Sequence, residues 1–339
     1  MASTMIPAPH LDVRGVLQSV RNEANTRSPL FLALFTLGAF TAASALWSFS
    51  RLLLRAFILP GVNLRKFGAK KGSWAVVTGA SDGIGREFAV QLAKAGFNIL
   101  LAARNPEKLS SVALEIQEKV GGDIQTDTFI IDFAHADNSA YESLASKLQN
   151  IDVGVLVNNV GKSHDMPTDF VDTPADEIHD ILAINVNATV RVTEIIVPGM
   201  VSRRRGLILN MGSFAGAAPS PMLATYSASK AFLATFSAAL ATELKPKGIT
   251  VEHANTYFVV SAMSKIRRPS ALIPLPRTYV RTVLSTIRPG NFAPYWSHSL
   301  LDYVMHSVPE SLVVAYEHML HKDIRKRALR KRERQAKKA

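Results

Sequence analysis

Residues 74–97 read WAVVTGASDGIGREFAVQLAKAGF, and this stretch decides the fold. WAVVT is a short apolar run of the kind that forms a buried strand. REFAVQLAKAGF follows with a helical pattern. Between them lie Gly79, Gly83 and Gly85. Glycines placed there let the backbone turn tightly and approach a pyrophosphate, which rests on the amides at the start of the helix. The spacing is G-x-x-x-G-x-G rather than the more familiar G-x-G-x-x-G. An ordinary tight turn is the competing reading, but the position between a strand and a helix favours a phosphate cradle. Ser81, Asp82 and Ile84 complete the turn and count as candidate cofactor contacts.

Working outward, short apolar runs alternate with longer amphipathic ones. NILLAA, QTDTFII, VGVLV, GLILNM and ITVEHA join WAVVT as candidate strands. Near-continuous apolar strands separated by helices predict a doubly wound, Rossmann-type parallel sheet. The second strand ends in Ala103-Arg104, where an NAD enzyme usually places an acid for the ribose 2′-hydroxyl. A cation there suits a 2′-phosphate, so the expected cofactor is NADPH. Asp132 follows the third strand and suits either the adenine amino group or a helix cap. The fourth strand leads into Asn158-Asn159-Val160-Gly161, whose small and amide side chains allow close cofactor approach and tie neighbouring strands.

The chemistry concentrates in Tyr226-Ser227-Ala228-Ser229-Lys230, which opens a helical pattern. Tyr226 and Lys230 are four apart and share a face. A nearby ammonium lowers a phenol's pKa, which would fit Tyr226 as general acid toward a carbonyl. Ser213 closes the fifth strand, where ligands of open α/β sheets bind, and its hydroxyl can reach the same carbonyl. A Tyr/Lys pair alone is common on helices. The glycine turn, NNVG, Ser213 and the pair in this order are not.

In that order they resemble the short-chain dehydrogenase/reductase superfamily over roughly Ser73 to Met263. The resemblance makes Ser213, Tyr226 and Lys230 a catalytic triad. Asn185, in ILAINVNATV, becomes a fourth member that helps hold a proton-relaying water. It also implies that Lys230 bonds the nicotinamide ribose, makes Tyr226, Asn159, Gly161, Val259 and Ser261 candidate cofactor contacts, and allows a homo-oligomer. Where the superfamily has Pro-Gly after the sixth strand, this chain has Thr256-Tyr257, and Tyr257 cannot take a positive φ cheaply. That puts the loop carrying Val259 and Ser261 in question.

The chain has 339 residues, 47% of them hydrophobic, and no cysteine, which excludes disulfides and Cys-ligated zinc; no metal site is expected. Of its net +12, residues 1–72 carry +7 and residues 322–339 carry +8, leaving the body at −3. Basic ends around an apolar segment suit an anionic membrane surface, and no nucleic-acid partner is expected. Residues 30–47, LFLALFTLGAFTAASALW, hold no charge and nearly span a hydrocarbon core of about 30 Å. A cleaved signal peptide fits less well, because a long polar stretch precedes the segment. Arg51 and Arg55 share a face in the following SFSRLLLRAFILP, which reads as an interfacial helix. Arg51, Arg55, Arg65 and Lys66 after the segment outweigh Arg14, Arg21 and Arg27 before it, favouring a cytosolic C-terminal side.

The expected layout is therefore a segment at 1–29, a transmembrane helix at 30–48, an interfacial linker at 49–72, the NADP-binding catalytic domain at 73–270, a helical region at 271–321 and a basic tail at 322–339. SLLDYVMHSVPESLVVAYEHML, split by Pro309, reads equally as membrane-apposed or as packing helices. The closing AKKA places its lysines one position too near the carboxylate for a dilysine retrieval signal.

Within the superfamily the closest resemblance is to fungal very-long-chain 3-oxoacyl-CoA reductases. It rests on the membrane segment, SDGIG, Ala103-Arg104, NNVGKSHDMP and NTYFVVSAMSKIRRPS. It implies reduction of 3-oxoacyl-CoA to 3-hydroxyacyl-CoA by NADPH in fatty-acid elongation at the endoplasmic reticulum. Its partners there are a condensing enzyme, a dehydratase and an enoyl reductase. Arg267, Arg268 and the tail are candidates for attracting the anionic CoA, though solvated charge is the plainer reading. His164 could face the substrate mouth or be structural, and His253 reads as a strand residue. Rival readings are a membrane reductase of steroids or 3-ketosphinganine, and a non-catalytic NADPH-binding scaffold.

Overall fold

The computed structural model describes residues 14, 15, 18 and 28–337. The chain forms two compact units that divide between Leu54 and Arg55. The first is built on α1 (Pro29–Leu53), which runs on as a π turn at Leu54–Ile58. Ser28 caps it by accepting from the Phe31 amide at 3.3 Å, and Pro29 sits in the first turn, where a missing N–H costs nothing. Thr36 and Thr41 return their hydroxyls to carbonyls one turn back. The helix buries none of its residues, and Leu30, Phe40 and Trp47 are about 70% exposed. An 18-residue window within Pro29–Ile58 has a mean hydropathy of 1.8, and the helix is long enough to cross a bilayer. The expected span is thus part of a longer helix, and residues 49–58 continue it rather than forming a linker. Arg21, Arg27 and Lys338 lie outside the described residues.

The second unit is a seven-stranded sheet. Its strands are β1 (Trp74–Thr78), β2 (Asn98–Ala103), β3 (Thr126–Ile130), β4 (Val153–Asn158), β5 (Gly206–Met211), β6 (Ile249–Ala254) and β7 (Gly290–Phe292). They lie in the order β3-β2-β1-β4-β5-β6-β7, and every neighbouring pair is parallel. The helices are α2 (Gly83–Ala95), α3 (Pro106–Val120), α4 (Asn138–Leu148), α5 (Ala175–Leu182), α6 (Ala188–Ser202), α7 (Ala224–Leu244), α8 (Pro276–Ser285), α9 (Trp296–Ser307) and α10 (Glu310–Ala336).

One face of the sheet packs on α2, α3 and α8 through Phe88, Leu92, Leu109, Ile116, Tyr279 and Val283. The other packs on α4, α6 and α7 through Leu144, Val192, Ile196 and Leu244. Strands covered on both faces must be apolar throughout, which is why β2, β4, β5 and β6 are buried at every residue. α5 and α6 are together apolar enough to cross a membrane, but nearly half of that window is buried against the sheet.

Six strands match the six apolar runs. β7 was not expected, because three residues around a glycine make no run; it pairs only with β6, from Glu252–Gly290 to Ala254–Phe292. Beyond residue 270, α8 and β7 belong to the sandwich, since Tyr279, Val280 and Val283 are fully buried. Strand order reverses between β1 and β4, so a crevice opens at the strands' C-terminal ends.

Candidate active site

The glycine turn sits at that crevice. Gly79 and Gly83 have φ of +65° and +56°, in the left-handed region that favours glycine. A Cβ at Gly85 would stand 2.2 Å from the Gly79 carbonyl oxygen and 2.4 Å from Asn159 Nδ2. The Asp82 carboxylate accepts from the Gly83 amide at 2.7 Å and caps α2, so it serves the turn itself. Ser81 lies half-buried in the same turn. Asn159 ties β1 to β4: its Nδ2 donates to the carbonyls of Thr78 at 3.0 Å and Gly79 at 3.2 Å. The first turn of α2, free of side chains at Gly83 and Gly85, fits a dinucleotide pyrophosphate. Ile84, Asn159, Gly161 and Ser261 line the same cavity.

Ser213, Tyr226 and Lys230 meet across that cavity. Ser213 follows β5 and accepts from the Ala215 amide at 3.3 Å, which turns its hydroxyl inward. The Ser213 side chain lies beside Tyr226 and favours its ionised form. Lys230 Nζ donates to the Met211 carbonyl at 2.9 Å and lies 5.8 Å from the Tyr226 ring centre. Burial pushes this ammonium down to about 8.

Burial also pushes the Tyr226 phenol up, and Ser213 offsets only part of that. The lowering by Lys230 expected from the spacing does not contribute here. The ammonium is turned onto a carbonyl, and desolvation disfavours the phenolate.

Asn185 occupies a π turn at Ala183–Asn187 between α5 and α6, a distortion often found at functional sites. It is fully buried. Its Nδ2 donates to the Lys162 carbonyl and the Ser229 hydroxyl, each at 2.9 Å, and its Oδ1 accepts from the Lys162 amide at 2.8 Å.

The sequence profile of short chain dehydrogenases matches residues 73–271. The chain belongs to the short chain dehydrogenase family. It is 59% identical over 315 residues to a very-long-chain 3-oxoacyl-CoA reductase of Laccaria bicolor, covering 90% of this chain and 93% of that one. It is 59% identical over 338 residues to a protein of the same name from Coprinopsis cinerea, covering 96% and 98%. Among solved structures, a study of 7beta-hydroxysteroid dehydrogenase stereoselectivity supplies one with TM-score 0.68 at 21% identity, covering 76% of this chain and all of that one. A Sphingobium yanoikuyae short-chain dehydrogenase in complex with NADPH has TM-score 0.56 at 24% identity, covering 62% and 83%. These two likenesses show the fold. As a member of the family the chain is an oxidoreductase that binds a nicotinamide cofactor.

Other expected site residues of this short chain dehydrogenase fall around the crevice. Arg104 stands exposed at the end of β2, and no acid occupies that slot. The exposed Asp132 accepts from the Ala134 amide at 3.1 Å, while Asp137 caps α4. Val259 is buried and lines the cavity with Ser261. Tyr257 does not have a positive φ. Its ring packs edge-on against Phe214 at 5.5 Å and His298 at 5.9 Å, so the loop needs no glycine there. His164 is buried beside Glu177 at 2.6 Å rather than at the cavity mouth. His253 is a buried strand residue held by Asn291 at 2.6 Å. Arg267 and Arg268 are exposed and outside the cavity lining.

The cavity holds about 600 Å³, and its far wall comes from α9 and α10, to which no site residue had been assigned. Three polar residues of α10 fasten that wall. Glu317 accepts from the Ser220 hydroxyl, and His321 Nδ1 donates to the Pro221 carbonyl at 2.7 Å. Arg325 donates to the Pro167 carbonyl at 2.9 Å and Thr168 Oγ1 at 2.8 Å. Their spacing of four was visible in sequence, but without the fold it reads as a solvated stripe.

Proposed function

We propose that this protein reduces very-long-chain 3-oxoacyl-CoA to 3-hydroxyacyl-CoA with NADPH, in the fatty-acid elongation cycle. The carrying observation is that Ser213, Tyr226 and Lys230 line one cavity together with a predominantly apolar set of side chains. Near-full-length similarity to proteins named for that activity supports the substrate class.

Ser213 and Tyr226 line the same cavity, so a 3-oxo oxygen seated between their hydroxyls accepts from both. When bound, the reduced nicotinamide supplies the hydride to the carbonyl carbon. Tyr226 gives its proton to the oxygen, and the alcohol forms with charge balanced. The resulting phenolate is stabilised by the Lys230 ammonium, and the raised phenol pKa makes that help necessary. Asn185 holds Ser229, the neighbour of Lys230, and so sets the helix that carries both groups. Lys230 then returns a proton to the phenolate, and the family resemblance adds a water at Asn185 that relays the replacement proton to Lys230.

Arg104 in place of an acid supports NADPH over NADH. The apolar helix at Pro29–Ile58 supports residence in a membrane; the endoplasmic reticulum is proposed from the resemblance, and a cytosolic catalytic unit from the basic residues that follow the helix. A long acyl chain partitions into lipid at about 0.8 kcal/mol per CH₂, so an enzyme held at the bilayer meets its substrate there. The condensing enzyme, dehydratase and enoyl reductase of the cycle are the proposed partners, and the enzyme is proposed to self-associate.

The test follows NADPH oxidation by the full chain in lipid nanodiscs with 3-oxostearoyl-CoA, 3-ketosphinganine and an oxo-steroid in parallel. Preference for the acyl-CoA is expected, with NADH a poor substitute. Turnover of the sphingoid or steroid ketone alone would overturn the assignment of substrate. Cofactor binding without turnover of any ketone would favour a scaffold.

A further inference from the structure

The C-terminal helix pair carries an inference that rests on the reductase reading above and deepens it. On α9, Leu301, Val304 and Met305 recur at helical spacing and line the cavity that holds Ser213 and Tyr226. On α10, Leu312, Tyr316 and Leu320 do the same. This wall is apolar, yet it is not sealed: Val304 is 48% exposed and Leu312 is 60% exposed. Closed core helices would bury these side chains, and a merely solvated pair would present polar ones. An apolar surface that begins at the reacting groups and opens outward suits a chain of methylenes longer than the cavity.

The polar stripe of α10 holds this wall in register with the chemistry. Glu317, His321 and Arg325 are one turn apart on one face. Glu317 and His321 grip Ser220 and Pro221, in the loop between Ser213 and Tyr226. The Ser220 amide in turn donates to Ser227 Oγ at 3.1 Å, at the start of α7. The wall is therefore hydrogen-bonded through Ser220 to Ser227, the residue after Tyr226.

We propose that α9 and α10 form the acyl-chain subsite, clasped to the catalytic loop by Glu317, His321 and Arg325. The chain beyond the 3-oxo group lies on their apolar face and leaves through the gap at Val304 and Leu312. The site consequently sets no upper limit on chain length. Glu317 is a positioning residue in this arrangement.

The test uses the full chain in nanodiscs, with turnover of 3-oxobutyryl-CoA and 3-oxostearoyl-CoA and with binding of butyryl-CoA and stearoyl-CoA. Val304→Trp and Leu312→Trp alter exposed positions, so folding is retained while the gap narrows. Both should raise KM for the long substrate about tenfold or more and leave kcat/KM for the short one within about twofold. Glu317→Ala should give the same split, and Glu317→Gln, which keeps a partner for Ser220, should restore the wild-type values. Equal losses on both substrates, or an unchanged long-chain KM, would overturn the subsite. If the wild type reduces neither ketone, the reductase reading falls and binding decides the subsite. Loss of the stearoyl-CoA preference in the Trp variants then keeps it, and an unchanged preference overturns it.

Discussion

The Asn185 side-chain amide donates to the Ser229 hydroxyl at 2.9 Å, joining residues 44 apart in sequence. The bond links the π turn between α5 and α6 to the residue before Lys230. Asn185→Ala removes it and strands the Lys162 amide and carbonyl as well. Orphaned buried groups cost about 1–3 kcal/mol, and a displaced helix start harms catalysis further. We expect a lower melting temperature and a kcat reduced about tenfold or more, with NADPH affinity nearly intact. A variant with unchanged kcat would remove Asn185 from the catalytic machinery.

Tyr226→Phe keeps the ring and deletes the proton donor. Reduction should fall by about 10²–10⁴, the usual worth of a positioned general acid. NADPH binding, followed by fluorescence, should change little. Substantial residual turnover would mean that another group protonates the oxygen.

Gly83 and Gly85 separate backbone strain from crowding. At Gly83 a Cβ meets nothing nearer than 3.7 Å, so Gly83→Ala should cost only the left-handed conformation, about 1–2 kcal/mol. At Gly85 it would collide with the Gly79 carbonyl, forcing backbone to move. Gly85→Ala should therefore cost more stability and abolish NADPH binding. Thermal melts with and without NADPH give both readings, and a larger loss at Gly83 would contradict the geometry.

Lys230 should set the alkaline limb of the pH profile. Its folded value of about 8 lies below its ordinary 10.5. Between the two the unfolded chain binds more protons, so this group's contribution to stability rises with pH there. Catalysis runs the other way, because it needs the ammonium. The reductive kcat/KM at saturating NADPH should fall as pH rises through about 8. A profile that stays flat well above that value would show that the Lys230 charge is not required.

Much of the site was legible because its parts are local. The glycine turn lies within one strand–helix unit, and Tyr226 and Lys230 lie on one helix. Other roles depended on what each side chain meets in space. Asp82 caps α2 itself, His164 faces Glu177, and the Tyr226 phenol is raised rather than lowered. Burial and the direction in which Lys230 points decide that last outcome, and neither is a property of spacing.

The chain's apolar patterning alone determined six of the seven strands, the helices between them and the apolar segment at residues 30–47, because strands covered on both faces read as continuous apolar runs, helices covered on one face read at helical spacing, and a membrane segment reads as a long uncharged run. Only the tertiary structure decided the rest. It drew β7 onto the sheet edge, seated Asn185 beside Ser229, and brought Glu317 to Ser220 across 97 residues. Periodicity reports that a face is covered. What covers it is settled by packing between distant elements, where hydrogen-bond partners and buried charges find each other.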